Sequence, residues 1–399
     1  MAAYVAIGRS IDPYLYVAEQ GTGLLLPFGA RPPIASVAGL AFTADASKLA
    51  TAHTRSSGIA LSVYALPGMT VSSPAADPGG SGKAVAYSPD GTRLAFGMDI
   101  SPYAIIYNAS TLVDVGASLG LTGTVSALAY SPDGTRLAIG YAASPYLKVY
   151  DTATWSAVTL TTAVGSAVTG LAYSPDGTRL AVCHSSSPYL SIYNTSTWTK
   201  VSGTPTDMPG NSGHPAYSPD GTRLAVVLFG GTHMKVYNTS TWATVSGTPT
   251  LPGQGNSVAY SPDGAYVLVG TTYVTGTPRP VRAYSTSSWA DTTSGPLGNL
   301  LAAASCNSNS LAVAFSTPTL RYIRGSVRDV SNSPVARTVR VLARPSGALV
   351  ATTVSNGATG DFEVAIPAGA SDEFDVQFLA ASGELLNDLF YARVTTSAI

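Results

Sequence analysis

The chain has 399 residues, enough for more than one domain with a large buried core. Its net charge is −1 and only 11% of its residues are charged, which excludes a strongly basic nucleic-acid binder and an acidic tail. Its 2 cysteines cannot build a disulfide framework, and no run of about 18 apolar residues is present to insert in a membrane.

The first twenty residues lack a basic segment followed by an apolar one, so no signal peptide is expected. They instead fit a template that recurs further on. Ala6-Ile7-Gly8 and Asp12-Pro13-Tyr14-Leu15 match Ala138-Ile139-Gly140 and Ser144-Pro145-Tyr146-Leu147 at a constant offset of 132. A worn copy, AFTADASKLATA, occupies residues 41–52. AYSPDGTRLAFG then runs over 86–97, AYSPDGTRLAIG over 129–140, AYSPDGTRLAVC over 172–183 and AYSPDGTRLAVV over 216–227. A looser copy, AYSPDGAYVLVG, fills 259–270, and ASCNSNSLAVAF at 304–315 is a remnant. Successive copies step by 45, 43, 43, 44, 43 and 44 residues, a period that belongs to propellers and solenoids.

Within a copy, one apolar run ends at Ser-Pro-Asp-Gly and another starts just after it. Pro sets φ for the second position of a type I turn, Asp bonds to nearby backbone, and Gly takes the positive φ that closes a bulged hairpin. Strand A is therefore 126–130 and strand B 136–141 in the 129–140 copy. Strand C follows as LKVYD, a second turn as 151–155, and strand D as SAVTL. Four short strands per repeat make a propeller blade. The expected fold is all-β: a seven-bladed β-propeller over residues 1–318, followed by a small β-sandwich over 325–399. Residues 319–324 are a linker or a shared strand. The chain opens on strands B, C and D, and residues 300–305 are expected to supply the missing strand A and close the ring. Residues 311–315 resemble a surplus strand B, so eight blades is the alternative.

From Gly325 onward the last 75 residues carry 13 charged side chains, against 30 in the preceding 324. Alternation at Val339/Val341, Phe362/Val364/Ile366 and Phe374/Val376/Phe378 marks the strands of this second domain. The residues GSVRDVSNSPVARTVRV, SGALVATTVSN, TGDFEVAI and LNDLFYARV resemble a prealbumin-like or carboxypeptidase-regulatory-like sandwich of phage tail and virion-associated proteins. The repeat SPDGTRLA…SPYLKVY is similar to propellers encoded among phage structural genes, and SPDG also occurs in periplasmic propellers of the Tol system. The Gly-His and Trp-Asp pairs of WD repeats are lacking, so that family is not assigned.

The A–B turns are constant and the C–D turns nearly so, and these share one face of a propeller. B–C and D–A loops share the other, where the repeats diverge, as a recognition surface requires. Candidate binding residues on that variable face are Arg9, His53, Met98, Asp99, Tyr141, His184, Phe229, His233 and Tyr273. Catalytic constellations are thin: the 4 histidines are scattered, with no metal-ligand spacing, P-loop or nucleophile elbow. The Asp and Arg of each SPDGTR turn, the strand-C tyrosines and the tryptophans five residues after four of them are read as structural. No cofactor, metal, nucleic acid or membrane partner is expected. The resemblance implies a non-enzymatic virion component, of a phage tail or host-attachment apparatus. Its partners would be other virion proteins and a host cell-surface glycan or protein. The alternatives are a propeller hydrolase or lactonase acting at the axial channel, and a capsid decoration protein.

Overall fold

A computed structural model describes residues 4–9, 15–19, 25–26, 36–55, 60–206, 208, 210, 212–228, 234–251, 253–272, 281–292, 310–315, 321–326, 338–343, 348–354, 361–366 and 374–379. The chain divides into two compact units, Ala3–Thr317 and Pro318–Ile399.

The first unit contains β1 (Tyr4–Arg9), β2 (Leu15–Glu19), β3 (Val37–Phe42), β4 (Lys48–His53), β5 (Leu61–Ala65) and β6 (Thr70–Ser72). Next come β7 (Gly82–Tyr87), β8 (Arg93–Met98), β9 (Ala104–Asn108), β10 (Val125–Tyr130), β11 (Arg136–Tyr141), β12 (Leu147–Asp151) and β13 (Ala157–Val158). They are followed by β14 (Val168–Tyr173), β15 (Arg179–His184), β16 (Leu190–Asn194), β17 (Ser212–Tyr217), β18 (Arg223–Leu228) and β19 (Met234–Asn238). The unit ends with β20 (Gly255–Tyr260), β21 (Tyr266–Thr271), β22 (Val281–Ser285) and β23 (Ser310–Phe315).

These strands form a β-propeller. Among the described residues it has seven antiparallel sheets, each of three or four strands. Strands β3, β7, β10, β14, β17 and β20 are the inner strands of six of them, and each packs against the next in that order. The seventh sheet has the order β2-β1-β23, and β23 packs against both β20 and β3, which closes the circle.

The closing strand differs from the one expected. Ser310–Phe315 pairs antiparallel with β1, with Val5 opposite Phe315 and Ile7 opposite Val313. The segment read as a surplus strand B is thus the missing strand A. Strand B of this sheet already comes from the N-terminus, so a second one has no edge to join. Residues 300–305 lie outside the described residues.

Each SPDG turn closes as its composition requires. In the β10–β11 hairpin Gly134 N–H donates to Ser131 O at 2.9 Å, and Gly134 has φ 72°. Asp133 accepts from Thr135 N–H at 3.0 Å, and the Ser131 hydroxyl caps Arg136 N–H at 2.9 Å. The Ser131 hydroxyl bond is the first cause that holds the Asp133 carboxyl below its ordinary pKa. The turn aspartates are therefore consumed locally. The arginines reach to the next blade: Arg93, Arg179 and Arg223 stack over Trp155, Trp242 and Trp289. Arg179 and Arg223 also donate to Thr239 O (2.6 Å) and Thr286 O (2.8 Å). Arg136 pairs instead with Asp151 of its own blade at 2.6 Å.

Strand B is buried along nearly its whole length, because it lies between two neighbouring blades and has no solvent face. Strand-C tyrosines Tyr107, Tyr150, Tyr193, Tyr237 and Tyr284 and the buried Cys183 fill the same interfaces. The outer strand D is short, reduced in several blades to a single bridge such as Tyr193–Lys200.

The second unit contains β24 (Arg321–Ser326), β25 (Thr338–Ala343), β26 (Ala348–Val354), β27 (Asp361–Ile366) and β28 (Phe374–Leu379). β24 pairs with β27, and β25 is central between β26 and β28, all antiparallel.

Candidate functional site

Hydrogen bonds fix which loops share a face. Thr152, Thr195, Thr239 and Thr286, at the start of the C–D turns, donate from Oγ1 to the Gly carbonyl of the A–B turn in the same blade, at 2.6–2.7 Å. At the opposite end the first B–C residue donates to the residue just before strand A. Examples are Ala142 N to Thr124 O (2.9 Å), Ser185 N to Ala167 O (3.0 Å) and Thr272 N to Gln254 O (2.8 Å). The two-and-two division of loops is therefore as the repeat implied.

The candidate residues on the second face are distributed differently. His53, Met98, Tyr141 and His184 end strand B and are buried, at 2%, 0%, 0% and 3% exposure. This corrects their reading as presented recognition groups: the last strand-B position still points into the blade interface. The Tyr141 hydroxyl is pushed up to about 12 by burial. Asp99, one residue further, is half-buried and is a scaffold for loops. It accepts from Ser81 N–H at 2.8 Å and pairs with Lys83 at 3.5 Å. The side chain of Arg9 and all of Phe229, His233 and Tyr273 lie outside the described residues.

The two buried histidines are tied into the core by serines. Ser62 Oγ stands 3.1 Å from His53 Nε2, and His53 Nδ1 donates to Thr54 O at 3.3 Å. Ser191 Oγ stands 3.0 Å from His184 Nε2, and Ser166 Oγ 3.5 Å from its Nδ1. Ser62 and Ser191 hold the second position of strand C. The equivalent residues are Tyr16, Ile105, Lys148, Lys235 and Arg282 in blades without the histidine. That co-occurrence was present in the sequence as a sign of a packed pair.

Desolvation lowers the pKa of both histidines, offset in His53 by the Thr54 carbonyl and in His184 by a backbone hydrogen bond at Ser186, with the Lys200 charge adding to the lowering in His184. The unfolded chain, near 6.5, then binds more protons than the folded one at mildly acid pH. Stability is full above that value and falls as pH drops from it toward the folded values. A His53→Gln/His184→Gln variant is expected to flatten stability between pH 7 and 5, by up to about 1.4 kcal/mol per pH unit for each linked proton. Urea unfolding at several pH values measures this; an unchanged slope would refute the linkage.

What the second face does expose lies one or two positions beyond strand B. Ile100 is 44% exposed, Ala142, Ser185 and Ser186 are exposed, and Arg55 pairs there with Asp77 at 2.5 Å. The rest of three B–C turns is constant. Ser101-Pro102-Tyr103, Ser144-Pro145-Tyr146 and Ser187-Pro188-Tyr189 each contain a cis Ser-Pro bond, with the tyrosine at φ 64°, 67° and 65°. Those rings pack against the inter-blade clusters that also hold Leu119, Val164 and Met208 of the D–A segments. Among the described residues no group of three or more His, Cys, Asp or Glu is placed to hold a metal ion.

A ring of antiparallel three- and four-strand sheets with constant turns on one face and divergent loops on the other defines a β-propeller repeat protein. Residues 157–194 match the WD domain, G-beta repeat family. That span runs from β13 through β16, a strand D followed by A, B and C of the next blade. This one repeat is similar to that family, although the chain lacks the Gly-His and Trp-Asp pairs of WD repeats. A solved structure titled "Crystal Structure of Mitotic Checkpoint Complex" is similar over 62% of this chain and 75% of that chain, at 22% identity and a TM-score of 0.52. That likeness concerns the fold. No curated protein sequence matches the chain.

Proposed function

We propose that this chain is a non-enzymatic recognition and structural protein of a virion, part of a phage tail or host-attachment apparatus. The observation that carries the recognition role is the exposed, blade-specific chemistry of the B–C loops on a constant frame: Ile100 and Ser186 hold one corresponding place, and Asp99, Ala142 and Ser185 the place before it. The virion assignment rests on the resemblance of the SPDG repeat and of Gly325–Val394 to phage proteins. In this reading the ring is complete at seven blades, and the second unit is a small β-sandwich that attaches the propeller to other virion proteins. A host cell-surface glycan or protein is the partner of the loop face.

Binding of the purified chain to host cells tests the choice of face. Ile100→Asp, Ala142→Asp and Ser185→Asp together are expected to reduce binding by about tenfold or more, the loss of a hot-spot contact. Asp133→Asn and Asp176→Asn on the turn face are expected to leave it unchanged. Loss only in the turn-face variants would reverse the assignment of faces, and binding to no host fraction would refute the attachment role.

A further inference from the structure

Three neighbouring blades carry one and the same turn on the loop face, ending at Tyr103, Tyr146 and Tyr189. Their inner strands β7, β10 and β14 pack in succession, so the three turns follow one another around the ring. The backbone of the turn does not need a tyrosine. Tyr146 N–H donates to Ala143 O at 2.7 Å, and Tyr146 O accepts from Tyr141 N–H at 2.9 Å. Any residue offers those two groups, and at φ 67° glycine would offer them without steric cost. What tyrosine alone adds is its ring.

Each ring is half-buried: part of it covers an inter-blade cluster and the rest is open. The hydroxyls of Tyr103 and Tyr146 make no hydrogen bond among the described residues, and they are not enclosed as those of Tyr87, Tyr130 and Tyr173 are. Ser101, Ser144 and Ser187 in the same turns are exposed, with hydroxyls that likewise have no partner among the described residues. Charge is scarce around them. Across the loops 99–103, 117–124, 142–146, 160–167 and 185–189 Asp99 is the one charged residue, and Ser81 N–H and Lys83 hold it. Lys148 reaches the loop 117–124 from strand C, where it donates to Gly120 O at 2.8 Å.

We propose that this arc of three blades binds a neutral, repeating polysaccharide, whose sugar rings lie on Tyr103, Tyr146 and Tyr189. A sugar ring has an apolar C–H face and a rim of hydroxyls, and tyrosine offers an apolar body with a polar tip to match both. The serine and tyrosine hydroxyls each donate and accept, as sugar hydroxyls do. A charged ligand finds no free counter-charge here. A polymer repeats its surface as the three turns repeat theirs, and linked contacts of that kind gain affinity from one another. The inference rests on the reading of the loop face as the attachment face, and it names the class of ligand.

The experiment measures binding of the intact chain to host cells, and to polysaccharide extracted from them with phenol and digested with protease. Binding to cells is expected to survive protease treatment and to fall about tenfold or more after periodate, which cleaves the vicinal diols of sugars. The extract is expected to compete, and fragments of a single sugar repeat to compete about a hundredfold less well. Raising the salt from low to high is expected to leave affinity unchanged. Tyr103→Leu/Tyr146→Leu/Tyr189→Leu is expected to weaken binding to the extract about tenfold or more; Leu112, at φ 55°, shows that leucine holds such a backbone in this chain. Tyr103→Phe/Tyr146→Phe keeps the rings and is expected to weaken it about threefold or more through the hydroxyls alone. Asp133→Asn on the turn face is expected to change nothing. Cell binding that is lost to protease and kept after periodate would overturn the inference in favour of a protein partner and leave the attachment reading standing. Binding to the extract equal to the parent's in both tyrosine variants would overturn it equally. Binding to neither cells nor extract would refute the attachment reading and this inference with it.

Discussion

A chain ended at residue 309 is expected to lose cooperative folding of the propeller, while one ended at Thr317 keeps it. The two differ by β23, whose backbone pairs with β1 over Val5, Ala6, Ile7, Gly8 and Arg9. Without it β1 becomes an inner edge, and β3 and β20 lose the strand that lies between them. Val5 and Ile7 are fully buried. Exposing two such side chains costs about 1.5–3 kcal/mol each, and each lost ladder bond adds about 0.5–1.5 kcal/mol. The total is comparable with the whole stability of an ordinary domain, about 5–15 kcal/mol. The open edge also offers a template for pairing with another chain, so the shorter product should form oligomers. Circular dichroism melts and size-exclusion chromatography compare the two; equal midpoints and equal elution would show that closure does not depend on β23.

Much of this architecture was legible in the sequence because the repeat states it many times. A turn such as Ser131-Pro132-Asp133-Gly134 fixes its own geometry within four residues, so reading it needs no knowledge of the rest of the chain. Ring closure was legible only in part. The remnant at 304–315 was aligned as an A–B hairpin, although its B partner sits at the far N-terminus, and nothing local distinguishes SLAVAF as an A or a B strand. The site residues failed for a related reason. Period-two alternation reports a strand with one wet face, and strand B has none. His53, Met98, Tyr141 and His184 were therefore placed on the variable face, although they are the last buried residues of a strand.

One interface rule should hold under substitution with a large effect. Gly140 in β11 faces Val168 at the start of β14: a Cβ on Gly140 would lie 2.3 Å from Val168 Cγ1. Gly97 stands in the same relation to Val125, at 2.4 Å, and Gly8 to Val37, at 2.6 Å. Where strand B is bulkier at this position, the next strand A begins with a smaller residue. Ala52 is followed by Gly82, Cys183 by Ser212 and Val227 by Gly255. In the pair Val227 and Gly255 the side-chain size of Gly140 and Val168 is kept while their order is reversed, as close packing between blades allows. Gly140→Val is expected to destabilise by about 1–3 kcal/mol through overpacking. Val168→Gly is expected to cost about 2–4 kcal/mol, from lost burial and added backbone freedom. The double variant Gly140→Val/Val168→Gly reproduces the pair that Val227 and Gly255 already form two blades on. It should therefore be more stable than the two single costs predict, by a coupling of about 1.5 kcal/mol or more. Denaturant unfolding of the four proteins of the cycle measures that coupling. Additivity to within about 0.5 kcal/mol would mean that the two positions do not share one space, and that the size exchange along the chain has no packing cause.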